Sequence, residues 1–209
     1  RIQPGYVPMA PSTSASFIIL GLVVLYLAGK SQPRALQAAL TALTIVVTLF
    51  GLLEVIGHFG GVGLNFEDTI VPAGGHLGDI PIGRMSPATG VGFVFAGAAM
   101  LALIFRRVNR KRTGLLGGVA GSLGVVMILL SFFFLLAYGY HEPLMYGQGS
   151  TIPMALTTVL AFLALGVATV CTAGKDAFPL RLTAGDSTRS YLLKAMLPVV
   201  IAPVLLAEY

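Results

Sequence analysis

The chain has 209 residues, of which 56% are hydrophobic and 10% are charged, with a net charge of +5. A soluble domain carries about 25% charged residues, so these few charges cannot cover a water-facing surface, and the composition excludes a soluble globular protein. The same apolar content excludes intrinsic disorder. The single cysteine, Cys171, excludes a disulfide framework and a multi-cysteine metal site. We therefore expect an all-α integral membrane protein.

Six apolar segments are candidates for spanning helices, each near the ~20 residues that a bilayer requires, although the last is short and incomplete. In chain order they are Pro11–Ala28, Ala35–Ile56, Pro87–Phe105, Gly114–Tyr138, Ile152–Cys171 and Leu192–Leu206. The chain begins with Arg1 and stops at Tyr209 just as a span is finishing. We therefore expect the sequence to be part of a longer protein.

Basic residues fall almost entirely on one side of these spans. Eleven of the thirteen Lys and Arg residues lie in or beside the connections 29–34, 106–112 and 172–191, and Arg1 and Arg84 alone lie on the other side. By the positive-inside rule the three basic connections are cytoplasmic. The N-terminus and the connections 57–84 and 139–151 are then outside, which predicts a multi-pass protein of the cytoplasmic membrane. The basic run at 106–112 is interpreted as a topology anchor on anionic lipid, not as a nucleic-acid site.

A short motif recurs three times without gaps. Met, Thr, Phe and Gly follow one another at intervals of four residues, which places them on one stripe of a helix. The three copies begin 76 and 69 residues apart, and comprise Met9, Thr13, Phe17, Gly21; Met85, Thr89, Phe93, Gly97; and Met154, Thr158, Phe162, Gly166. Threonine can bond across helices and glycine lets backbones approach, so the stripe is interpreted as a packing seam, with a ligand-lining role as the alternative.

Each copy of the motif starts a span that runs inward and is followed by a span that returns. The chain is therefore predicted to be a single membrane domain of three helical hairpins, over about residues 9–56, 85–138 and 154–207. Pro11 and Pro87 suit the first turn of a helix, and Ser86 is a candidate N-cap. The third copy has Leu156 in place of proline.

These segments also resemble a known family. The motif starts, the outer-loop stretch 80–89 (IPIGRMSPAT), the stretch 138–147 (YGYHEPLMYG) leading into 152–156, and the acidic piece 64–68 (LNFED) are similar to the multi-span N-terminal membrane region of bacterial sensor histidine kinases. In that family this region precedes PAS and kinase modules. The resemblance implies a sensory input role and provides no ligand or catalytic residue to transfer. Residues 1–209 contain no helical hairpin with a phosphoacceptor histidine and no glycine-rich block that would bind a nucleotide. A kinase would therefore lie after Tyr209 and would require a further span.

All three histidines, His58, His76 and His141, lie on or near the predicted outer face, as does Glu54, which shares a helix face with His58. Three interpretations remain open. These residues are interfacial polar groups without a special role, or groups that sense pH or a small ligand by titrating near neutrality, or ligands of a metal or tetrapyrrole. No HExxH or CxxC motif supports a metal site, and the cofactor remains unknown.

The connection 57–84 has 28 residues and eight glycines, and connections of this length are usually functional or disordered. It is interpreted either as a connector lying on the membrane or as a lid. No catalytic constellation is evident, so an enzyme activity within these residues is not expected.

The sequence therefore favours a sensory input domain that couples to an output module. The alternative is a non-catalytic accessory subunit of a larger membrane complex, and such a subunit could hold a cofactor. A secondary transporter ranks lower because no charge lies in the middle of a span. The expected partners are the lipid bilayer and either membrane subunits or a fused cytoplasmic module, and no nucleic acid.

Overall fold

The fold was derived from a computed structural model that describes residues 9–29, 33–60, 76–77, 80–81, 85–109, 112–139 and 154–183. Six helices occupy most of these residues, and five of them are long. In chain order they are α1 (Pro11–Ala28), α2 (Arg34–Phe59), α3 (Pro87–Val108), α4 (Thr113–Gly139), α5 (Leu156–Ala173) and the short α6 (Leu180–Thr183).

The five long helices have the length and hydropathy of membrane spans. The shortest, α1 and α5, have 18 residues, which at a rise of ~1.5 Å per residue corresponds to ~27 Å. Each contains a strongly apolar window with at most two charged residues. The chain is therefore a multi-pass membrane protein, and the prediction of five of the spans is confirmed. The predicted sixth span, 192–206, lies outside the described residues.

The helices α1, α3 and α5 all begin at the same position of the repeated motif. They start at Pro11, Pro87 and Leu156, two residues after the motif methionine in each copy. The preceding residue has extended backbone in all three, with φ between −63° and −77° and ψ between 143° and 149°. Ser86 accepts a hydrogen bond from the amide of Thr89, as expected of an N-cap. The helix α5 begins at Leu156 without a proline. Its predicted start, Ile152, was four residues too early.

The helices α1, α3 and α5 form a parallel group at the centre of the described structure. Each of the three contacts the other two, and α3 is the most completely surrounded of the five long helices. The second helices of the first two predicted hairpins lie outside this group, with α2 against α3, and α4 against α3 and α5. We call the end where α1, α3 and α5 begin the N-end of the bundle, and the opposite end the C-end.

One feature of the connection 57–84 departs from an all-helical fold. His76–Leu77 (β1) pairs antiparallel with Ile80–Pro81 (β2), with His76 opposite Pro81 and Leu77 opposite Ile80. Two residues separate the strands, which is the length of a tight hairpin turn. The sequence analysis did not predict this hairpin, because a two-residue ladder leaves no periodic signal in the sequence.

Candidate functional site

The three phenylalanines of the repeated motif meet at one point in the bundle. The ring centroids of Phe17 and Phe93 are 5.0 Å apart, those of Phe17 and Phe162 are 4.7 Å apart, and those of Phe93 and Phe162 are 5.0 Å apart. The interplanar angles lie between 56° and 67°, so the rings meet in tilted or edge-on contacts, the arrangement that aromatic quadrupoles favour. We call these three residues the aromatic junction. It joins α1, α3 and α5 in one set of mutual contacts.

Glycine makes room for this junction. A Cβ atom on Gly92 would lie 2.6 Å from the Cζ atom of Phe162, closer than real Cβ contacts allow. Phe93 and Phe162 are fully buried, while Phe17 is partly buried. A larger residue at position 92 would therefore displace the Phe162 ring from the junction.

The motif residues nearer the N-end are also buried in the bundle. Thr13, Thr89 and Thr158 are each at most 3% exposed, and Met85 and Met154 are equally buried, while Met9 is partly buried. The hydroxyl groups of Ser86 and Thr89 are 2.8 Å apart and share a hydrogen bond. The motif therefore contributes its threonine and phenylalanine side chains to the interior.

The motif glycines at positions 97 and 166 lie where an outer helix crosses an inner one. Thr48 of α2 packs directly on Gly97 of α3. On the other side of the bundle, a Cβ atom on Gly166 of α5 would lie 3.0 Å from the carbonyl oxygen of Gly124 in α4. The glycine makes room for a side chain of the outer helix at position 97 and for its backbone at position 166, which a larger residue would not permit.

Two adjacent arginines hold the three inner helices together at the C-end. Arg106 donates a hydrogen bond to the carbonyl oxygen of Ala173, at the last residue of α5. Arg107 donates to the carbonyl oxygens of Leu27 and Gly29, at the end of α1, the latter over 2.8 Å. The guanidinium carbon of Arg107 also lies 5.2 Å from the centroid of the Tyr26 ring, a cation–π distance. We call Arg106 and Arg107 the arginine clamp.

The clamp gives these arginines a second role that the sequence analysis missed. It predicted them as a basic anchor for lipid, because a run of charge between two spans is explained by topology alone. The carbonyl groups at a helix C-terminus lack partners within the helix and carry partial negative charge, so cationic donors stabilise them. An available signal was that two arginines close the last turn of α3, where the neighbouring helices were also predicted to end.

The candidate ligand residues are not gathered into one site. Glu54 lies half-buried near the C-terminus of α2, at the N-end of the bundle, with its Cβ atom near Gly90 of α3. His58 is exposed one turn later, and its ring stands edge-on to Phe59 at 5.3 Å. His76 lies in β1, and His141 lies outside the described residues. Within the ranges that the structure describes, no three His, Cys, Asp or Glu residues come close enough to hold a metal ion.

Two further polar side chains are notable. Ser131 in α4 is 1% exposed, and its hydroxyl is the one buried side-chain oxygen or nitrogen atom in the described part of the chain without a hydrogen-bond partner. Cys171 is exposed near the end of α5.

Comparisons with models of known protein families, with curated proteins and with solved structures find no match. The functional argument therefore depends on the sequence and on the geometry of the described residues. That geometry connects the same three helices at two levels, by the aromatic junction within the bundle and by the arginine clamp at the C-end.

Proposed function

We propose that this chain is the transmembrane sensory input domain of a bacterial signal-transduction protein of the sensor histidine kinase type. In this proposal the domain consists of six spanning helices in three repeated hairpins in the cytoplasmic membrane. The N-end faces outside and the C-end faces the cytoplasm, as the positive-inside rule predicts from the distribution of basic residues.

The observation that carries the proposal is the pair of connections among α1, α3 and α5. Phe93 and Arg106 lie in the same helix, 13 residues apart, so the junction and the clamp are separated by ~20 Å along α3. A helix is stiff over this length. A displacement of α3 at the junction is therefore transmitted to the carbonyl groups of α1 and α5 at the C-end.

Signalling through this arrangement requires two packings of the inner helices. A signal can shift the equilibrium between them only if it interacts more strongly with one than with the other. The junction is suited to this role because tilted aromatic contacts between three helices depend on the mutual angles of all three. The clamp then converts a change in those angles into a change at the cytoplasmic ends of the helices, where an output module would respond.

The test is phosphoryl transfer by the full-length gene product in lipid vesicles. We expect ATP-dependent incorporation of phosphate into the wild-type protein, and an altered rate in Phe93→Ala. Phe133→Ala is the matched control, because Phe133 is 52% exposed on α4 and lies outside the junction. Absence of phosphate incorporation in the wild type would overturn the kinase-linked proposal. Equal rates of incorporation in the wild type, Phe93→Ala and Phe133→Ala would overturn the role of the junction.

A second candidate function is a non-catalytic accessory subunit of a membrane complex. The observation in its favour is α2, the least buried of the five long helices. Leu43 and Ile45 are both at least 40% exposed and lie ~200° apart around the helix, so apolar side chains are exposed on more than one side. Purification in mild detergent distinguishes the two functions. A partner retained at fixed stoichiometry, with no phosphate incorporation, would favour the subunit.

A further inference from the structure

One of the three motif glycines differs from the other two in its surroundings. Gly97 is packed against Thr48 of α2, and Gly166 against Gly124 and Ile128 of α4. For Gly21 in α1, no atom of the described residues lies within 4 Å of the position that a Cβ would occupy. The second and third copies of the motif therefore have an outer helix across the glycine, and the first copy, in α1, has none among the described residues.

The residues that flank Gly21 show the same difference. Ile18 and Leu25 lie three residues before and four residues after it, on the same helix face, and they are 66% and 69% exposed. The residues at the same motif positions in the other copies are half-buried or buried, as the outer helices cover them. These are Val94 and Leu101 in α3, and Leu163 and Val170 in α5.

The pattern of coverage also indicates which element would cover Gly21. In the second and third copies, the helix that covers the motif glycine belongs to the preceding hairpin. The second helix of the first hairpin, α2, covers α3, and the second helix of the second hairpin, α4, covers α5. If the three copies follow one another in a ring, the hairpin that precedes α1 is the third. Its second helix is the predicted span 192–206, which lies outside the described residues.

The chain that follows α5 can reach α1. Residues 174–183 remain at the C-end, because Ala177 lies beside Gly117, and the carbonyl group of Phe178 packs on Gly121, both near the start of α4. The ends of α5 and α1 flank the end of α3, where Arg106 and Arg107 contact them. The helices α1 and α5 are also in direct contact. Residues 184–191 can extend up to ~26 Å, more than the ~10 Å diameter of one helix.

We propose that the surface formed by Ile18, Gly21 and Leu25 is the docking surface for residues 192–206 of this same chain, packed antiparallel to α1. The segment enters at the C-end and has 15 mostly apolar residues, which as a helix would be ~22 Å long and cover most of α1. Gly21 then serves as the third close helix crossing, equivalent to Gly97 and Gly166. This inference depends on the six-span architecture of the proposed function and does not depend on signalling.

Cysteine cross-linking in membranes tests the proposal on the full chain. The background is Cys171→Ser, which removes the single native thiol. Ile18→Cys is combined with cysteine at each position from 195 to 206 in turn, and copper-phenanthroline is the oxidant. We expect a monomer of shifted electrophoretic mobility, with cross-linking maxima every three or four positions, as a helix facing α1 requires. Leu25→Cys with the same scan provides a second series if Ile18→Cys is poorly produced.

Two matched pairs calibrate the result. Gly117→Cys with Ala177→Cys is the positive control, because a Cβ atom at position 117 would lie 3.4 Å from the Cβ atom of Ala177, close to the separation in a disulfide. Leu129→Cys is the negative control for the scan, because Leu129 is 62% exposed on α4, which packs on α3 and α5. Cross-linked dimers that require Ile18→Cys would overturn the proposal in favour of a second copy of the chain. No cross-linking in either series, with the positive control cross-linked, would overturn it in favour of lipid contact. Phosphate incorporation that persists in either case would show that the proposed function stands without this docking.

Discussion

The side chain of Thr48 in α2 occupies the space that a Cβ atom on Gly97 in α3 would fill. The hydroxyl of Thr48 donates a 2.7 Å hydrogen bond to the carbonyl oxygen of Thr44, which holds the side chain in place. Thr44 is fully buried. The Thr48 Cβ atom would lie only 2.9 Å from a Cβ on residue 97. The crossing of α2 and α3 therefore requires glycine at this position.

Gly97→Ala is expected to destabilise the protein by about 1–3 kcal/mol, the usual cost of overpacking an interior. The measurement is the unfolding midpoint in mixed micelles. Gly118→Ala is the matched control, because a Cβ at position 118 of α4 meets no atom of the described residues within 4 Å. There alanine is expected to stabilise by up to about 1 kcal/mol through helix propensity. Thr48→Ala in the Gly97→Ala background should restore part of the loss, and equal effects of the two glycine substitutions would contradict the crossing.

Phe93→Ala removes the fully buried member of the aromatic junction that belongs to the central helix. We expect a loss of about 3 kcal/mol in unfolding free energy, because a large side chain leaves a cavity between three helices. Phe133→Ala should cost much less, since its ring is 52% exposed. If Phe17→Ala and Phe93→Ala are combined, the effects should be less than additive because the rings are in contact. Full additivity would indicate that the rings act independently.

The two arginines of the clamp are expected to protect different helices. Arg107→Ala should accelerate amide hydrogen exchange at the end of α1, and Arg106→Ala should accelerate it at the end of α5. A charged hydrogen bond contributes about 1.5–3 kcal/mol, which corresponds to an acceleration of exchange by about 10- to 150-fold. Arg112→Ala is the control, because Arg112 is exposed just before α4. Identical exchange in both helices for both variants would contradict the assignment of one arginine to each helix.

The orientation predicted from the basic residues has a direct test. Phe59→Cys at the end of α2 and Val108→Cys at the end of α3 are both highly exposed and lie at opposite ends of the bundle. In a Cys171→Ser background, an impermeant maleimide added to intact cells should label position 59. Position 108 should be labelled only after permeabilisation. The reverse pattern would place the basic connections outside and exclude a cytoplasmic output at the C-end.

The sequence predicted the helices well because membrane spans depend on composition and length, which are local properties. The start of α1 was predicted at the observed residue, Pro11, because proline is favoured in the first turn of a helix. The start of α5 was misplaced, since the apolar character of the chain continues back to Ile152, although the motif register alone would have indicated Leu156. The spacing of the motif showed which residues share a helix face.

Periodicity cannot show which faces meet, and this limited the prediction of the candidate site. The pattern placed Phe17, Phe93 and Phe162 at equivalent positions of three helices, but their mutual contact depends on a parallel, three-way packing that no local pattern specifies. The arginine clamp was missed for the same reason, as its acceptors Leu27 and Ala173 are distant in sequence. The histidines and Glu54 were selected by residue type alone, and the described geometry gives no further support to a common site.

The central claim is that packing at the aromatic junction determines the arrangement of the helix ends at the C-end. Double electron–electron resonance measures this directly, with spin labels on Ala28→Cys in α1 and on the native Cys171 in α5, both exposed. In lipid nanodiscs, Phe93→Ala should shift or broaden the distance distribution between the labels, whereas Phe133→Ala should leave it unchanged. Superimposable distributions for Phe93→Ala and the unsubstituted protein, with helix content unchanged, would contradict the account.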